Sequence, residues 1–201
     1  MKSSLFIVGF FILGILLSIY SLVPDFFLES DISTYVLYIL MFFVGISIGT
    51  DKDVLKILKG VKLKIILVPL SVITGTFIGI GFVSVFIPDI SLKESLAVGA
   101  GFAYYSLSSI IITQLNSDIL GVIALLSNIF REVITLLMTP FLVKYFGKLA
   151  PIASGGATSM DTTLPIIAKF TGKEYAIIAV FSGVILTILV PFLVTFILTY
   201  L

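Results

Sequence analysis

The chain has no cysteine and no histidine. The first absence excludes disulfides and thiolate chemistry. The second excludes histidine-ligated metal sites, Ser-His pairs and histidine proton relays. Charge is also scarce: 11% of the 201 residues are charged, whereas a soluble domain carries about 25%. No polar stretch is long enough for a separate soluble domain. Net charge is +1, so only the placement of charge carries information. No Gly-rich phosphate loop ending in Lys-Ser or Lys-Thr is present, which argues against an ATP-driven pump.

What the sequence has in abundance is apolar residues, 59% of the chain, with a mean hydropathy of +1.27. That composition implies an all-α, polytopic membrane protein with short loops. A crossing helix needs about 20 mainly apolar residues. Runs at 4–22, 33–50, 64–87, 119–146 and 175–200 qualify as five full crossings. The first follows Lys2 but is long enough to span and lacks a small-x-small cleavage site, so it reads as a helix rather than a signal peptide. Two further apolar segments, 95–115 and 150–171, are interrupted by Gly, Ser and Thr. One membrane domain results, with 1–94 as a three-helix module and 95–201 holding the interrupted segments and the last two crossings.

Lysine placement orients the chain. Lys52, Lys56, Lys59, Lys62 and Lys64 crowd one loop, while the preceding loop carries Asp25, Glu29 and Asp31 and no base. The positive-inside rule then puts the N-terminus in the cytoplasm and the C-terminus outside. If both interrupted segments cross fully, 8 of 11 lysines lie inside; if both are re-entrant hairpins, 10 of 11 do. The stronger bias favours hairpins, 95–115 dipping from outside and 150–171 from inside. Non-helical backbone at membrane depth is tolerated only inside protein or beside a watery cavity. Opposed interrupted segments are how secondary transporters build a midplane site.

Three stretches could carry chemistry there. In "LLSNIFREVITLL" (125–137), Arg131 and Glu132 stand mid-membrane, where an ionisable group costs roughly 2.5–3.5 kcal/mol. Neighbouring helical residues point about 100° apart, so these two diverge, whereas Asn128 and Glu132 share a face. Arg131 then needs another partner, Asp161 or hairpin carbonyls; the bland alternative is a structural ion pair. In "GGATSMDTTLPII" (155–167), Gly155 and Gly156 permit unusual backbone and Pro165 interrupts a helix continuing from Asp161. A half-helix ending at the glycines and another starting near Ser159–Asp161 is expected. Asp161 would cap the second or face the cavity of Glu132. Thr158, Ser159, Thr162 and Thr163 supply hydroxyls. In "GAGFAYYSLSSIIITQ" (99–114), Gly99 and Gly101 allow close backbone approach. Tyr104, Tyr105, Ser106, Ser108 and Ser109 add hydroxyls, and aromatic faces beside acids suit a cation. The tyrosines are equally compatible with an ordinary interfacial hairpin. Gly45-x-x-x-Gly49 and Gly75-x-x-x-Gly79 suggest close helix packing.

"GFAYYSLSSIIIT" (101–113), "ALLSNIFREVITLLMTPFLVKYFG" (124–147), "GGATSMDTTLPII" (155–167) and "FSGVILTILVPFL" (181–193) together resemble the lysine exporter family LysO. The resemblance implies a non-enzymatic exporter of L-lysine and its cationic analogues in the cytoplasmic (inner) membrane, with proton antiport and no cofactor or metal. It makes Glu132 the leading intramembrane acid and Asp161 a pathway residue. Half-helix N-termini would hold the α-carboxylate. Longer family members carry another three-helix module, so a separate three-helix partner or a homodimer is expected to supply it. The alternative is a non-catalytic membrane subunit or cation-channel component. An intramembrane protease is disfavoured: an aspartyl type needs two facing aspartates and a serine type needs a base. No nucleic-acid role is expected.

Overall fold

The computed structural model describes residues 63–201 without interruption and scattered positions before them (13, 14, 16–20, 22, 23, 35, 39 and 46). The chain divides into two compact units, Met1–Ile46 and Ser47–Leu201. Apart from those scattered positions, the expected crossings 4–22 and 33–50, the lysine-rich loop and the Gly45–Gly49 spacing lie outside the described residues.

All described elements are helical. In chain order they are α1 (Leu63–Ser84), α2 (Leu92–Gly99), α3 (Tyr105–Leu115), α4 (Asp118–Phe146), α5 (Ala150–Gly155), a 3-10 helix (Gly156–Met160), α6 (Leu164–Thr171) and α7 (Lys173–Tyr200). Parts of α1, α4 and α7 are long and apolar enough to cross a membrane: Ile65–Ser84, Asp118–Phe146 and Tyr175–Tyr200. They match three of the five expected crossings. Their outward faces carry large exposed apolar side chains, among them Ile78, Phe82, Phe130, Leu137, Phe192 and Phe196. Such faces are a liability in water and are at home in lipid.

Local chemistry sets the short elements. Ser91 and Glu94 form a reciprocal capping box that starts α2. Ser117 Oγ accepts from Leu120 N at 3.3 Å and starts α4. Gly147 (φ 87°) and Gly172 (φ 94°) leave α4 and α6 in the left-handed region that favours glycine. Pro165 sits in the first turn of α6, where a missing N–H costs nothing, so it helps start that helix.

The two interrupted segments each fold back on themselves. α2 and α3 are separated by residues 100–104, and their far ends meet: Asn116 Nδ2 donates to Glu94 Oε1 at 3.3 Å. α5 and α6 are separated by the 3-10 helix, and Lys148, before α5, lies over the ring of Tyr175, after α6, at 5.2 Å. α4 runs between them. Its start follows the closed end of the first hairpin and its end leads into the second. The two hairpins therefore extend from opposite ends of α4, and their tips meet near its middle. Gly75 and Gly79 make no close contact: an added Cβ would meet nothing within 4 Å among the described residues.

Candidate functional site

The middle of α4 organises both tips. Asn128 is buried and nearly saturated. Its Oδ1 accepts from Ala103 N at 2.7 Å, and its Nδ2 donates to Ala124 O at 2.9 Å and Val98 O at 3.2 Å. One side chain thus ties the end of α2 to the approach of α3. Between them Phe102 and Ala103 are fully buried with positive φ, 44° and 72°. Non-glycine residues pay of order 1–3 kcal/mol each for such backbone, which persists only where the surroundings over-determine it. Here the Asn128 bond and a Tyr104 N to Gly101 O bond of 2.6 Å do so.

Arg131 serves the other tip. Its Nε donates to Ser154 O at 2.9 Å, and its Nη2 to Ala153 O at 3.0 Å and Thr76 Oγ1 at 3.4 Å. The guanidinium lies over the Phe102 ring at 5.9 Å. Of the two partners expected for Arg131, the hairpin carbonyls are the ones it holds. Thr135, one turn on, donates to Arg131 O at 2.8 Å and pairs with Ser154 Oγ at 2.6 Å. The tips join through one backbone bond, Ala157 N to Phe102 O at 2.8 Å. Gly156 makes this approach possible: at φ 59°, an added Cβ would stand 2.4 Å from Phe102 O.

Glu132 is 1% exposed. Asp161 is exposed, and its Oδ1 accepts from the backbone N and Oγ1 of Thr162. Asp161 stands within electrostatic range of Glu132 and of the half-buried phenols Tyr104 and Tyr105, and Glu132 within range of Tyr105. The cap expected of Asp161 is not formed. Thr163 is the N-cap of α6 and no side chain caps it; the chain spends residues 156–160 on a 3-10 turn first, which carries Asp161 short of the helix. Among the described residues no cluster of three or more acids could hold a metal ion.

The remaining expected residues divide between backbone support and the acid side. Thr158 Oγ1 donates to Gly155 O at 2.8 Å, and Ser159 Oγ to Gly156 O at 2.7 Å and Ala179 O at 2.9 Å. These hydroxyls satisfy the tip's own carbonyls. Thr162 stays with Asp161, and Ser106 is half-buried beside Tyr105 in α3. Gly99, Gly101 and Gly155 have ordinary φ and serve close approach. A Cβ there would meet Ile80, Asn128 or Thr163, respectively, within 3 Å. Sequence reasoning missed Phe102, Thr135, Ser154 and Gly183, where a Cβ would stand 2.6 Å from Met160 Cβ. Thr135 was findable as Arg131 plus four; nothing in a phenylalanine announces a left-handed turn.

A helical chain with three membrane-length helices is a membrane protein, and its two broken segments meet near the buried Glu132, the kind of interrupted backbone that secondary transporters use to build a site. The model of the family described as "Lysine exporter LysO" matches residues 8–198. The chain is 33% identical over 167 residues to the lysine exporter LysO of Escherichia coli, covering 83% of this chain and 55% of that protein. It is 34% identical over 166 residues to a Haemophilus influenzae protein named "Putative lysine exporter", covering 81% and 82%. No solved structure matches. The chain belongs to the lysine exporter LysO family, and it spans about half the length of the Escherichia coli relative.

Proposed function

We propose that the chain exports L-lysine, and cationic analogues, across the inner membrane as a non-enzymatic secondary transporter. The observation that carries this is the meeting of Glu132, Asp161, Tyr104 and Tyr105 where the hairpin tips join. Carboxylates beside aromatic faces suit an ammonium group. A carboxyl buried mid-helix can exchange a proton for that ammonium, which is the requirement of antiport. Family membership and the names of the relatives support lysine as the substrate.

On this reading α2–α3 enters the membrane from outside and α5–α6 from the cytoplasm, the N-terminus is cytoplasmic and the C-terminus external. The contacts that close each hairpin at its base support that path. A tag inserted after Lys148 should be reachable only from the cytoplasmic side. A separate three-helix protein or a second copy belongs to the same proposal; full activity from a strict monomer would remove the need for it.

Glu132→Gln and Asp161→Asn should each lower pH-driven lysine counterflow in proteoliposomes by at least about 100-fold, because a neutral amide neither pairs with an ammonium nor releases a proton. Counterflow that keeps its rate and its pH dependence in Glu132→Gln sinks the reading.

A further inference from the structure

A cavity of about 240 Å³ lies between α1, α2 and α4. It is smaller than the roughly 300–1,000 Å³ of drug-sized sites, so it suits a small metabolite. Its walls are mainly apolar, with Ile80, Val83, Val98 and Ile123, and Ser127 adds a hydroxyl. Arg131 is its one charged lining residue among those described. The guanidinium spends Nε and Nη2 on carbonyls and a hydroxyl, while Nη1 makes no hydrogen bond among the described residues. A cation in an apolar cavity, balanced by dipoles rather than by an acid in the lining, favours an anion beside it. Planar carboxylate is the group a guanidinium edge recognises best.

We propose that this cavity reads the α-carboxylate of the transported amino acid: Nη1 of Arg131 holds that group while the aliphatic stem lies along Ile80, Val83 and Ile123. The proposal rests on lysine being the substrate. It moves the carboxylate from the hairpin N-termini, where the sequence had placed it, to α4. The ε-ammonium then points away from Arg131. The consequence is selectivity. A diamine of the same length has no group for Nη1 and brings a second positive charge toward the guanidinium, so the cavity rejects it.

The chain has no cysteine, so Ser127→Cys introduces a single thiol at the cavity wall, at a residue that is not a partner of Arg131. The full chain in proteoliposomes is treated with a charged methanethiosulfonate, alone, with L-lysine, or with 1,5-diaminopentane. L-Lysine should slow modification about 10- to 100-fold, the range of one charge-assisted bond, and the diamine should not. Adding Arg131→Met should erase the protection, and Arg131→Lys should restore part of it. Equal protection by the diamine, no protection by lysine, or protection that survives Arg131→Met overturns the proposal. Lysine counterflow measured on the unsubstituted chain separates the two levels. If that chain carries lysine while Ser127→Cys shows no protection, this site alone falls; if the unsubstituted chain carries no lysine, the lysine reading falls with it.

Discussion

The first hairpin turns at Phe102 and Ala103, two non-glycine residues with positive φ; the second turns at Gly156, the residue type suited to that backbone. The first tip is held from outside itself, by Asn128 of α4. The second is stitched to itself through Thr158, Ser159 and Thr163, each donating to a carbonyl of its own segment, and is held besides by Arg131 of α4 at Ser154 O and Ala153 O. Both occupy the same depth on α4 and touch through one backbone hydrogen bond. A strained tip pinned by one side chain has a nearby relaxed alternative if the pin lets go. A glycine tip stitched to itself does not. The first tip is therefore expected to loosen before the second.

The comparison breaks most severely at the join. In Gly156→Ala the new methyl meets the backbone of Phe102, which has no rotamer to yield, and the residue keeps a left-handed φ. The backbone term alone costs about 1–2 kcal/mol. Losing the Ala157–Phe102 bond adds about 1 kcal/mol. Together they predict a loss of about 2–3 kcal/mol, visible as a lower melting temperature in detergent, and no lysine counterflow. Gly101→Ala is the control. Its methyl meets the Asn128 amide and the Ser108 hydroxyl, side chains that can shift, so its effect should be clearly smaller. Equal melting of Gly156→Ala and wild type would show that the tips are not rigidly joined.

Next comes the pin. Asn128→Ala leaves the buried Ala103 N–H without its acceptor, at about 1–3 kcal/mol, and frees a backbone that was already paying for its conformation. Amide exchange at 100–104 should accelerate far more than exchange at 156–160. Asn128→Asp keeps the acceptor for Ala103 but loses the amide donations to Val98 and Ala124, and should fall between. Equal acceleration at the two tips would contradict the assignment of the first as the looser one.

These differences mark how far the sequence could be read. The three long helices were legible because apolar runs of more than 20 residues leave little choice in lipid. The breaks were legible from Gly, Ser and Thr, and α5 does end at Gly155 as its glycine pair suggested. The shared face of Asn128 and Glu132 followed from helical spacing, and both are buried. What could not be read is how each tip closes. Phe102 and Ala103 turn left-handed because Asn128, 25 residues away for Ala103, makes that backbone worth keeping. Asp161 fails to cap α6 because a 3-10 turn, stabilised by Thr158 and Ser159, takes up the intervening residues. The first outcome depends on a tertiary partner, and the second on a local 3-10 turn that residue types alone did not announce. The Gly75–Gly79 spacing suggested packing that the described residues do not supply.

The smallest expected effect lies at the base of the first hairpin, where its two ends are held rather than its tip. Glu94 Oε2 accepts from Ser91 Oγ at 2.7 Å and from Ser91 N at 2.9 Å, and Oε1 accepts from Asn116 at 3.3 Å. The Ser91 hydroxyl, first, and the Ser91 backbone N–H, second, hold the Glu94 carboxyl below its ordinary value of 4.5. A group with a depressed folded pKa stabilises the fold above its unfolded pKa, and that stabilisation is lost as pH falls through the folded value. Glu94 is mostly solvated, so the contribution is small. Glu94→Gln should cost at most about 0.5–1 kcal/mol at pH 7, the range of a helix cap discounted for screening. Wild type and variant should converge in melting temperature as the pH falls through the lowered value of the Glu94 carboxyl. Exchange at the tip, 100–104, should not change. If Glu94→Gln loosened that tip as much as Asn128→Ala does, the hairpin would be one rigid lever, and the distinction between a fixed base and a mobile tip would be lost.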